Sequence, residues 1–190
     1  MAILNISHYR FGADDAAHAS HSFLANEDTA LASVTTFDTP MLLRFNEQLG
    51  SATNNVDFQF RYKVNAGAWA SVSTSSSPIK AATSAFSTDA DDLTQRLSGT
   101  GTFESSGDGF TIDGISGGAQ NDIALSGCSE TELCFSIVSA SVVSGDVIYF
   151  DGTSPDCTVA TGVLASLAIY KAAATSTQVY RYCCGRRWRN

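Results

Sequence analysis

The chain has 190 residues, 44% hydrophobic and 16% charged, with 11 basic and 19 acidic residues for a formal charge of −8. That length suits one domain with a sizeable core, the apolar share excludes a disordered chain, and no apolar run reaches the roughly 18 residues that cross a bilayer. The 25 Ser, 18 Thr and 15 Gly favour hydroxyl-rich sheet surfaces over a helical bundle, which would need far more Leu, Glu and Lys.

Met1 to Ile6 carries no basic segment followed by a long apolar core, so no secretory leader is expected. His8, Tyr9 and Arg10 fit a strand. His18 and His21 are three apart and would share a metal only on a local helix, with no fourth ligand evident. Ordinary surface or interface histidines are expected, and no metal is assigned. Met41 to Asn46 reads as a strand ending in the turn-forming run from Gly50 to Asn55. Val56, Phe58, Phe60, Tyr62 and Val64 then alternate without error against Asp57, Gln59, Arg61 and Lys63. This is the pattern of a half-buried strand. Asn65-Ala66-Gly67 tolerates positive φ, and Trp69 to Val72 resumes an apolar pattern, which predicts a hairpin. Three consecutive antiparallel strands follow.

Residues 73–120 are rich in Ser, Thr, Gly and Asp. Within them Asp89 to Leu97 predicts one or two helical turns capped by Asp89, and Phe103 and Phe110 to Ile112 predict short strands. A structureless stretch of this length is unusual in a compact domain, so it should contain short strands or pack on a neighbouring subunit. Thr131, Leu133, Phe135 and Ile137 alternate with Glu132, Cys134, Ser136 and Val138. Ser144-Gly145-Asp146 turns the chain into a strand from Val147 to Phe150, which Asp151 to Pro155 closes. In the stretch from Val163 to Tyr170, Leu164, Leu167 and Tyr170 fit a helical spacing while Leu167 and Ile169 fit a strand. Strand is favoured, because a sandwich needs a closing strand and eight residues make a short helix. The elements predict an all-β, antiparallel β-sandwich with at most one short helix over residues 1–172, followed by a C-terminal arm, 173–190. Arg181, Arg186, Arg187, Trp188 and Arg189 make that arm basic, and residues 1–180 hold 7 basic and 19 acidic residues, −12 formally. So acidic a body repels a nucleic-acid backbone.

No catalytic residue is predicted. The glycine-flanked serine elbow of acyl transfer is absent. Glu104, Glu130 and Glu132 are the carboxylates a glycosidase would draw on, and Glu130 and Glu132, two apart on a strand, would share its solvent face. Asp89, Asp91 and Asp92 have calcium-like spacing but lack the glycine and terminal Glu of a calcium-binding loop. Cys128, Cys134, Cys157, Cys183 and Cys184 are odd in number and contain no CxxC pair, which argues for reduced thiols. No cofactor is implied.

The order of His8-Tyr9-Arg10-Phe11 with Asp14-Asp15, Ala25-Asn26-Glu27-Asp28-Thr29, Leu43-Arg44-Phe45, the strand to Tyr62 with Gly67-Ala68-Trp69, Leu93 to Leu97, Glu132 to Ile137 and Gly145 to Ile148 resembles Ig-like β-sandwich virion proteins of tailed bacteriophages and prophages. The similarity covers roughly residues 5–170, and its motifs are structural. It implies an Ig-like or jelly-roll-like sandwich made in the host cytoplasm and destined for the virion. It implies a capsid decoration or cement protein, with a tail-associated or receptor- or carbohydrate-binding virion module as the alternative. The implied partners are the major capsid protein or other virion subunits, with homo-oligomers on the virion and neither nucleic acid nor membrane contacted directly. Arg181, Arg186, Arg187, Trp188 and Arg189 are the expected partner-binding arm, since Arg and Trp are enriched among interface hot spots.

Overall fold

A computed structural model describes residues 3–49, 57–104, 109–116 and 127–172. The turn-forming run from Gly50 to Asn55 and Val56 lie outside them, as do residues 173–190 with the whole predicted arm.

The fold is an all-β sandwich of two six-stranded sheets with no α-helix among the described residues; its helical content is one 3₁₀ turn, Ser139–Ser141. Sheet A runs β11(Thr158–Thr161), β1(Ile3–Ala13), β3(Met41–Leu49), β9(Cys128–Ile137), β6(Ile79–Ala81), with β7(Phe110–Thr111) on the same edge of β9 as β6. Sheet B runs β2(Leu31–Val34), β12(Ala165–Ile169), β10(Val147–Thr153), β4(Phe58–Val64), β5(Ala70–Ser71), with β8(Ile115–Ser116) also on β4. Most pairs are antiparallel as expected, but β1–β11, β2–β12 and β7–β9 are parallel.

Period-2 alternation in β4 aims Phe58, Phe60 and Tyr62 inward. The two phenylalanines meet Phe45 of β3, whose ring stacks on Phe60 at 5.3 Å and meets Phe58 edge-on at 6.1 Å. Phe150 of β10 packs on Phe11 and Phe135. The two sheets are therefore joined through phenylalanines, each fully buried and worth roughly 1.5–3 kcal/mol of burial. Gly152 is required on β10, because a Cβ there would lie 2.0 Å from the Phe58 ring. That glycine lets the strand run on to Thr153 rather than close after Phe150.

The hairpin at Asn65 to Gly67 forms as predicted, with Gly67 N–H donating to the Val64 carbonyl and Tyr62 opposite Ala70. The stretch at 163–170 is strand β12. Three expectations need correction. First, β3 and β4 do not pair: the chain crosses from sheet A to sheet B between them, because both inner faces are aromatic and bury best against each other. Second, Asp89 to Leu97 is not helical. Ala90 takes φ 68° and exchanges backbone bonds with Phe110 through its own N–H and the Asp91 carbonyl, while the Arg96 and Leu97 amides donate to Glu130. Donors committed in this way cannot close helical turns. Third, Glu130 and Glu132 do not face solvent, because residues 14–23 and 82–104 lie over the outer face of sheet A. Leu93 and Phe110 bury there against Leu42 and Cys134, making a second small core.

Candidate functional site

Beneath this cover the outer face of sheet A is polar. Register places Arg10, Arg44 and Glu132 in one cross-strand row and His8, Asn46 and Glu130 in the next. Arg44 is fully buried. Its Nε donates to Glu132 Oε2 at 2.5 Å and its Nη1 to Glu130 Oε2 at 2.8 Å. Its remaining donors reach the carbonyls of Thr94 and His18 at 2.9 and 2.7 Å. Burial alone would lower the Arg44 pKa, but Glu132 and Glu130 outweigh it and hold the guanidinium charged. Burial likewise works against the Glu132 carboxylate, yet Arg44 and the His21 ring keep it below the usual range.

His21 completes the group. Its Nε2 lies 3.0 Å from Glu132 Oε2, and its ring rests on Gly12, where a Cβ would come within 2.5 Å of the imidazole. Arg96 caps the group by donating to the carbonyls of His18 and His21, and both Arg96 and Arg10 lie over the Phe23 ring. His21 is not the surface histidine expected: it is buried and spent on Glu132, while the His18 carbonyl accepts from both arginines. The Glu130–Glu132 pair is sealed from substrate, since neither side chain has any exposure. Its chemistry is to pin the covering chain onto the sheet.

The outer face of sheet B is different. Gln59, Arg61 and Lys63 alternate with the inward phenylalanines, opposite Tyr149 and Asp151 of β10. Arg61 pairs with Asp151 at 2.6 Å, and Thr161 donates to the other carboxylate oxygen. Trp69 is half-buried, outside the core, with the Arg61 guanidinium 4.9 Å and the Lys63 ammonium 4.8 Å from its ring. Lys63 also sits 5.3 Å from the Tyr149 ring. Two cations and two large aromatics thus share one surface on an otherwise acidic body. The alternation of β4 gave the cations; only the hairpin geometry brings Trp69 over them.

A third cluster lies at the bulge in β1. The register slips between Ile6 and His8, so Ile6 and Tyr9 both face the core while His8 and Arg10 are thrown outward. The segment 24–28 runs back along β1, with Leu24 N–H on the Phe11 carbonyl and Asp28 N–H on the Tyr9 carbonyl. This brings Glu27 Oε1 to 3.1 Å and Asp28 Oδ2 to 2.7 Å from His8 Nδ1. No sequence spacing signals this trio, because it depends on which chain lies beside β1.

Cys128, Cys134 and Cys157 are free and buried. Burial pushes each thiol up, which suppresses reactivity. The predicted arm of Arg181, Arg186, Arg187, Trp188 and Arg189 lies outside the described residues. Comparison with protein-family models, characterised proteins and solved structures finds no match.

Proposed function

We propose that the chain is a structural subunit of a bacteriophage virion, acting as a capsid decoration or cement protein without enzymatic activity. The observation that carries the reading is the outer face of sheet B, where the half-buried side chains of Arg61, Lys63, Trp69 and Tyr149 gather. Aromatic residues and arginine are the types enriched where proteins bind one another. The sealed Glu130–Glu132 pair supports a non-catalytic role. A rigid sandwich with its covering chain locked down offers a preorganised face that loses little entropy on docking. By binding only the assembled lattice, it would stabilise that state in proportion to affinity, and repetition over a symmetric shell adds avidity. The basic arm belongs to this proposal as a second anchor. Removing residues 181–190 should lower occupancy on the particle, and unchanged occupancy removes the arm from the account.

The test of the main reading is incorporation into particles. Trp69→Ala with Lys63→Glu should reduce the amount of chain retained on purified virions while leaving the thermal melt near that of the parent. A second reading, a carbohydrate-binding module on the tail, is favoured by Trp69 lying at the surface rather than in the core. Trp69-dependent binding on a glycan array, with no retention on capsids, would select it.

A further inference from the structure

We propose that His8, Glu27 and Asp28 form a binding site for a divalent first-row transition-metal ion, with Zn2+ the best fit. Among the described residues this trio brings one imidazole nitrogen and two carboxylate oxygens within 4.8 Å of one another. The Nδ1 atom of His8 can present a single hydrogen, yet both carboxylates are aimed at it, at 2.7 and 3.1 Å. A lone proton leaves an excess negative charge between two acids that are neighbours in sequence; a dication neutralises both.

The spacing suits metal coordination. An ion bound at about 2.0–2.1 Å by nitrogen and oxygen ligands holds tetrahedral partners roughly 3.3 Å apart, so small side-chain adjustments complete the site. Backbone donors hold the acids in place from outside. Tyr9 N–H binds Asp28 Oδ1 at 2.9 Å, leaving Oδ2 for the ion, and Ser98 N–H binds the Glu27 carboxylate at 3.1 Å. Such outer contacts orient metal ligands. The three side chains are between 23% and 34% exposed, so water or a partner's side chain can take a further position. A nitrogen–oxygen set with an imidazole selects Zn2+ and its neighbours over Ca2+, which takes six to eight oxygens. A bound ion would clip segment 24–28 to β1 and, through Glu27, to the covering chain at Ser98.

The test is calorimetric titration of the full chain with ZnCl2, with CaCl2 as the control, alongside thermal melts. One Zn2+ per chain, a rise in melting temperature with Zn2+, and at least about a tenfold loss of affinity in both His8→Ala and Asp28→Asn are expected. Asn tolerates the left-handed conformation that Asp28 adopts at φ 56°, so Asp28→Asn tests the ligand without breaking the turn. Absence of Zn2+ binding, binding of equal strength in both variants, or preference for Ca2+ overturns the assignment. Virion incorporation is read separately, so loss of either idea leaves the other standing.

Discussion

Glu47 on β3 is fully buried, accepts a hydrogen bond from the Thr131 hydroxyl with Oε1, and has no partner for Oε2 among the described residues. Burial pushes its pKa from 4.5 to about 8, with Glu130 adding to the rise. The unfolded chain therefore releases this proton near pH 4.5 while the folded chain keeps it to about pH 8. Stability from this group is complete below pH 4.5, declines as pH rises, and is lost by about pH 8. Glu47→Gln should remove that decline, leaving the variant more stable than the parent at pH 8 by on the order of a few kcal/mol. Urea unfolding at pH 5 and pH 8 checks this; a difference between the two proteins that does not grow with pH refutes it. Arg44 gives the opposite prediction. Arg44→Met leaves two acids buried without their cation and should cost about 3–5 kcal/mol. At this scale little of the network is legible in the sequence. Glu130 and Glu132 sit on the same face of their strand as their spacing implies, but alternation reports which residues share a face, not whether another segment lies on top of it.

The strands themselves were legible wherever the alternation was clean. The segment around Phe60, the hairpin after it and the strand ending at Ile137 follow from period-2 patterning and turn residues, whereas the closing strand near Leu167 fits two spacings and is settled by the sandwich's need for a closing strand. The covering chain was not, and the reason is local. Asp89 looked like a helix cap, yet its carboxylate accepts from Ile112 N–H instead, and the downstream amides are held by a carboxylate thirty-odd residues away on β9. Tertiary partners outcompeted a weak local preference. It follows that Glu130 orders residues 94–97. Glu130→Gln should speed amide hydrogen exchange at Arg96 and Leu97 while leaving the ladder-bonded amides of β4 protected. Unchanged exchange at those two sites would separate the covering chain from the ion network.

At the scale of the whole molecule, two layers and a pinned cover produce a rigid body whose sheet faces have unlike surfaces. Sheet A is closed over by its own chain, and sheet B presents cations and aromatics. The three lysines, Lys63, Lys80 and Lys171, lie on β4, on β6 and after β12, so amine crosslinking can report which surface meets a partner. The most direct measurement is therefore crosslinking mass spectrometry of intact, purified phage particles, with the chain quantified per particle. The account predicts the chain in stoichiometric amount on mature virions, with Lys63 joined to a coat subunit and Lys63 links reduced when Trp69 is replaced by Ala. Recovery of the chain free in lysate and absent from particles would contradict it.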